Sequence, residues 1–248
     1  GQRGDRNSPT VYNAALHVAQ FWDGRAANVE EQAKGPVLNP VEMGMPSIDY
    51  VIQVLNSIPG YKPLFEKAFP GQKDPITYDN FARAIGAFER GLVTPSPFDA
   101  FLQGDVKALT AEQLAGLDTF MGVGCITCHN GVGVGGGLYQ KIGLVHPYPT
   151  EDVGRAKVTS SEADKFLFKV PSLRNVVLTG PYFHDGKVAT VDEAVRLMGW
   201  HQLGQRLSDE QVKAIVSFLG SLSGKPDAKY IAKPELPPSG PETPKPKG

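Results

Sequence analysis

The chain has two cysteines, three residues apart, with a histidine directly after the second: Cys125-Ile126-Thr127-Cys128-His129. Thiols at i and i+3 share one side of a helical turn, and the adjacent imidazole can reach whatever they hold. Three chemistries use such a group. A zinc half-site needs two further ligands of similar kind, and no other cysteine exists. A redox dithiol does not require the histidine and belongs in a βαβ context, which the sequence lacks. The remaining chemistry is c-type haem attachment. Cys125 and Cys128 would then bond the porphyrin vinyl groups, and His129 would be the proximal iron ligand, so that the chemistry is electron transfer.

A sixth iron ligand should come from the region before the last helix. The candidates are His146, His184, Met198 and His201. A core methionine is the commoner fate of that residue. Met198, however, precedes Gly199 in what reads as an exposed loop, and it follows His129 at a plausible return distance. A thioether raises the potential of the iron, which suits an electron acceptor. Met198 is therefore the favoured ligand.

These residues need elements to position them. Ser47 reads as the N-cap of a helix with Ile48, Val51, Ile52 and Leu55 on one face, stopped by Pro59-Gly60. Tyr61–Phe69 reads as a second helix, and Thr77 opens a third that runs to about Leu92. Thr94-Pro95-Ser96-Pro97 reads as a break. Thr110 with Gln113 forms a capping box for a helix that leads directly into Cys125. Thr190 with Glu193 opens a short helix ending near Met198, and Ser208 with Gln211 opens one over 209–220. Residues 1–46 and 131–160 show little periodicity, and no strand pattern of useful length appears. Seven prolines after Gly224 make the tail extended or disordered. The fold class is mainly α, loop-rich and class I cytochrome c-like, built around covalently bound haem. The expected domains are a helical unit at 1–100, a cytochrome c-like domain at 101–222 and the tail at 223–248.

Composition narrows the function. With 25 basic and 26 acidic residues the formal charge is -1, which gives no support for nucleic-acid or polybasic membrane binding. No apolar stretch approaches the length of a membrane span. Gly1-Gln2-Arg3 does not begin a signal peptide.

Several segments resemble the bacterial di-haem cytochrome c peroxidases, across nearly the whole chain. They are Asn13-Ala14-Ala15, Phe21-Trp22-Asp23-Gly24-Arg25-Ala26, Glu31-Gln32-Ala33-Lys34-Gly35-Pro36, Asn39-Pro40-Val41-Glu42-Met43, the haem motif, Val170 to Asn175, Gly180 to Gly186, and Met198 with Gln202-Leu203-Gly204. The resemblance implies a subunit with two cytochrome-like domains. One haem, with His/Met ligation, accepts electrons from a small cytochrome c or a copper protein (a cupredoxin). The other haem reduces hydrogen peroxide to water. It also implies a periplasmic homodimer with a calcium ion between the domains. By resemblance, Trp22 lies between the haems, Gln32 and Glu42 line the peroxide pocket, and Asn7, Thr179 and Pro181 hold calcium. His184 becomes a structural histidine. Arg25 pairs with a haem propionate or closes a turn, and His17 and His201 take no special role.

The family has two haem motifs and this chain has one, which matches the electron-transferring haem. The chain is thus expected to be the C-terminal portion of a longer protein. Two other readings stand beside the peroxidase: a mono-haem electron carrier, and a relative that oxidises a protein side chain. The latter group prefers tyrosine where this chain has Met198.

Overall fold

Ser47, Thr77, Thr110 and Ser208 each accept a hydrogen bond from the backbone amide three residues on, at 3.1–3.3 Å. Each satisfies an amide that a helix leaves open at its start. The computed structural model describes residues 2–245. Gly1 and the last three residues of the proline-rich tail lie outside the described residues. In chain order the helices are α1 (Val29–Leu38), α2 (Ile48–Ser57), α3 (Tyr61–Ala68), α4 (Tyr78–Arg90), α5 (Pro97–Leu102), α6 (Ala111–Gly122), α7 (Ala156–Thr159), α8 (Val191–Leu203) and α9 (Asp209–Ser221). The class is mainly α, as expected.

Four local expectations are corrected. Residues 1–46 contain α1, capped by Asn28, whose side chain accepts from Glu31 N at 2.9 Å. Gly35-Pro36 inside it hid the periodicity. The Thr94–Pro97 break contains a helix start: Ser96 and Asp99 form a capping box, and Pro97 takes the first-turn position that needs no amide. The helix after Thr190 does not end near Met198 but runs on to Leu203. It stops at Gly204, whose φ of 68° is left-handed. Met198 is therefore a half-buried helical residue, not a loop residue. Finally, β1 (Tyr139–Lys141) pairs antiparallel with β2 (Leu167–Lys169). Strands of three residues are too short to show an alternating pattern.

The C-terminal core lies between α6 and α9. Phe120, Val212, Ile215, Phe218 and Leu219 are buried there. The two helices cross at Gly116, where an added Cβ would stand 2.0 Å from the Ala214 carbonyl oxygen and 2.9 Å from Phe218 Cβ. In the N-terminal part α1 packs on α4, burying Val29, Ala33, Val37 and Ala82. Buried polar groups join the two parts. Asn13 and Asn175 both donate to Thr94 Oγ1, at 2.8 and 2.9 Å, and Asn175 Oδ1 accepts from Gly224 N at 2.7 Å. Arg174 grips Asp99 of α5 with two bonds of 2.7–2.8 Å, which pulls the Asp99 carboxyl down to about 2.

The described part of the tail packs against the N-terminal helices. Tyr230 stacks on Phe88 with ring centres 5.3 Å apart and donates to the Phe88 carbonyl at 2.9 Å. Thr243 donates to the Ser57 carbonyl at 3.0 Å.

The crossing at Gly116 is backbone against backbone, so no side chain can move aside. Gly116→Ala is expected to cost about 3 kcal/mol, read as a lower denaturation midpoint with the slope unchanged. An unchanged midpoint would mean that α6 and α9 are not this close.

Candidate functional site

The α6 helix stops at Gly122, and Gly124 turns the chain at a φ of 101°. A single 3-10 turn then carries Cys125 and Cys128, with His129 N donating to Cys125 O at 3.0 Å. The motif thus follows the helix after a short turn rather than directly. The β2 strand, the segment after it and α8 close the remaining sides of a cavity. Cys125, Cys128, His129, Met198 and Trp22 all line it.

The residues fit a covalently held haem. Burial pushes the Cys125 thiol up to about 11. A thiolate site for zinc or redox exchange would need the opposite shift. The His129 Nδ1 atom is sealed from solvent and completes no well-formed hydrogen bond among the described residues, although it faces the backbone of Val134 and Pro171. Burial holds the ring in its neutral form, the one that binds a metal. Gly135, at a φ of 123°, lets the chain pass both Pro171 O and His129 Nδ1, where a Cβ would come within 2.2 and 3.2 Å. Phe120 lies 6.5 Å from the His129 ring and ties it to the core. Among the described residues no group of three or more His, Cys, Asp or Glu could hold a metal.

The other sixth-ligand candidates are engaged elsewhere. His146 stacks on Trp200 at 3.7 Å, and His201 Nδ1 sits 2.8 Å from the His146 carbonyl. Neither lines the cavity. His184 does line it, but its ring stacks on Phe168 at 4.2 Å and its Nε2 pairs with Thr150 Oγ1 at 2.9 Å.

Trp22 sits in the turn after a bridge between Gln20 and Ala26. Its Nε1 donates to the Asn7 carbonyl at 2.8 Å, and its ring meets His184 edge-on. Beyond it opens a second, more polar concavity. Trp22 belongs to both walls, and Gln32 and Glu42 line the second one. The Glu42 carboxylate accepts from Asn39 Nδ2 at 2.6 Å. Arg25 closes its turn by bonding Asp23 at 3.1 Å and lies 3.5 Å over the Phe21 ring. Asn7 approaches Pro181, donating from Nδ2 to Pro181 O at 2.7 Å and to Phe183 O at 3.2 Å. Thr179 closes a 3-10 turn two residues before Pro181.

The sequence reading passed over Lys169, which is 6% exposed and lines both cavities. Its one signal was a lone cation in the apolar run Phe166 to Pro171.

A family model described as di-haem cytochrome c peroxidase matches residues 1–107. Cytochrome c551 peroxidase of Pseudomonas aeruginosa is 51% identical over 99% of this chain and 72% of that protein. The chain belongs to the di-haem cytochrome c peroxidase family. Its counterpart in Nitrosomonas europaea is 47% identical over 98% of this chain and 72% of its own length. Among solved structures, a MauG-like protein associated with microbial copper homeostasis superposes with a TM-score of 0.78. It is 26% identical, over 94% of this chain and 79% of that one. Membership of this family implies haem c. No helix among the described residues is long and apolar enough to cross a membrane.

With its ring nitrogen held by Thr150, His184 is structural. His184→Leu should cost about 1–2 kcal/mol through the orphaned hydroxyl and leave the haem absorption bands in place. Loss of the low-spin spectrum in that variant would make His184 a ligand after all.

Proposed function

We propose that the chain is the electron-accepting haem domain, with part of the peroxide pocket, of an enzyme that reduces hydrogen peroxide to water. The observation that carries this reading is Trp22 in the wall shared by the two cavities. One cavity holds Cys125, Cys128, His129 and Met198, and the other holds Gln32 and Glu42.

Cys125 and Cys128 would tether the haem, and His129 and Met198 would hold its iron. When bound, the group supplies a one-electron redox centre of raised potential. Electrons would arrive from a small cytochrome c or a cupredoxin. The Trp22 indole, fixed through Asn7, offers a π-system in the wall between the sites. In the polar concavity the Glu42 carboxylate takes a proton from one peroxide oxygen and delivers it to the other. Asn39 holds that carboxylate, and the Gln32 amide positions the distal oxygen. With two electrons and two further protons, each peroxide yields two waters.

Calcium would bind the Asn7 side-chain oxygen and the main-chain oxygens of Thr179 and Pro181, completed by water. The proximity of Asn7 to Pro181 supports this. The Asn7 amide would present its oxygen instead of its nitrogen, through a half-turn of the amide group about its last side-chain bond. The units 1–100, 101–222 and 223–248 would be the pocket portion, the haem domain and the tail of one subunit in a periplasmic homodimer.

Glu42→Gln should lower peroxide turnover with a reduced small cytochrome by about 10²- to 10⁴-fold, with the spectrum unchanged. Full turnover would remove Glu42 from the chemistry. Met198→His should lower the midpoint potential by on the order of 0.1 V or more. An unaltered potential would remove Met198 as a ligand, and a protein with one haem and no turnover would be an electron carrier.

A further inference from the structure

Lys169 joins no ion pair among the described residues, although it is 6% exposed. Its Nζ lies 3.3 Å from His17 Nδ1. An ammonium can only donate, so Nδ1 accepts and the imidazole proton sits on Nε2. That Nε2 is itself buried without a partner. The Nε2 donor therefore lacks an acceptor, and the lysine charge beside it has no counter-charge among the described residues.

The backbone fixes them in place. Lys169 N donates to Trp22 O at 2.7 Å, Gly136 N to Val170 O at 2.8 Å, and Val18 N to Gly136 O at 2.9 Å. The His17 ring packs against Gly136, where a Cβ would come 2.4 Å from Cδ2. Asp23 and Asp152, in the wall of the same concavity, are both taken by Arg6. Burial lowers Lys169 to about 8 and, with the lysine charge, His17 to about 4. At neutral pH the lysine is thus charged and the imidazole neutral. A buried charge without a partner is costly and is normally paired. Among the described residues no carboxylate pairs with Lys169, and it lies at the partition between two cavities.

We propose that Lys169 and His17 form a carboxylate-binding site that takes a propionate of bound porphyrin. This rests on the haem reading above. The propionate belongs either to the porphyrin tethered at Cys125 and Cys128 or to one seated in the neighbouring concavity, since Lys169 lines both. The lysine supplies charge, and the histidine supplies a neutral donor. Both position the group and neither reacts.

The test uses the haem-loaded natural gene product that carries this chain, as wild type, K169R and K169M. Each is titrated spectroelectrochemically, and its propionate bending band is read by resonance Raman. K169M should lower the potential of the haem it pairs, because a nearby positive charge favours reduced iron, and should shift that band. K169R should stay near wild type in both. A shift confined to the His/Met haem assigns the propionate to the porphyrin at Cys125 and Cys128, and a shift confined to another haem assigns it to the neighbour. If K169M does not fold, H17F keeps the lysine and removes the orphaned donor, and the same band should move. Wild-type potentials and bands in K169M at full haem content would overturn the proposal, as would an unmoved band in H17F. A wild-type chain with no covalent haem would overturn the haem reading itself, so haem content separates the two failures.

Discussion

The close crossing of α6 and α9 at Gly116 is the constraint on which the site depends. No side chain separates the helices there, so the Ala214 carbonyl sets how near they come. That distance places Phe120 on α6 against Phe218 on α9, with ring centres 5.2 Å apart. Phe120 in turn backs His129. The turn carrying Cys125 and Cys128 leaves α6 only two residues after its end. The thiols and the imidazole therefore inherit their position from one helix pair. A packed interior transmits such constraints with little slack.

The opposite wall is set differently. The β1–β2 pair has only three residues per strand, but its second strand is pinned on both sides. Lys169 N bonds Trp22 O, and Val170 N bonds Leu138 O. This draws the N-terminal turn holding Trp22 against the wall of the cavity at Cys125. The link is reinforced by Asn13, Thr94 and Asn175, whose buried polar groups satisfy one another. Buried hydrogen bonds of this kind are costly to break singly. They hold the segment in register without a large apolar interface.

Much of this was legible in the sequence where a local rule dominated. The helices capped by Ser47, Thr77, Thr110 and Ser208 carry a capping residue and an apolar period together. The spacing of Cys125 to His129, with no further cysteine in the chain, pointed to haem attachment, and the family implies haem c. The helix α1 was hidden because Gly35 and Pro36 disfavour helix, and its packing on α4 overrides that preference. The α5 helix was hidden because Pro97 reads as a breaker in isolation and as a first-turn residue once Ser96 caps it. The length of α8 was misjudged because Gly199 looks like a terminus. Its buried position beside Leu207 explains the glycine instead, since a Cβ would come 2.8 Å from that side chain. Lys169 was invisible for a stronger reason: its burial depends on contacts from residues 17, 22 and 136, none of them near it in sequence.

The two cavities differ in a way that follows from this construction. The one at Cys125 is closed by Phe168, Val170, Ile142 and Leu203, all apolar. The other gathers Arg6, Asp23, Glu42, Glu89 and Asp152. Apolar surroundings disfavour the more highly charged oxidised state of an iron centre, whereas polar surroundings and nearby water tolerate it. A high-potential centre in the first space and proton chemistry in the second are thus what each wall favours physically. Among the described residues only Trp22 and Lys169 belong to both walls, so the partition is aromatic and cationic. A cation there would stabilise an electron on either side of it. The same few residues would then set both the route between the sites and the energy of the charge that takes it.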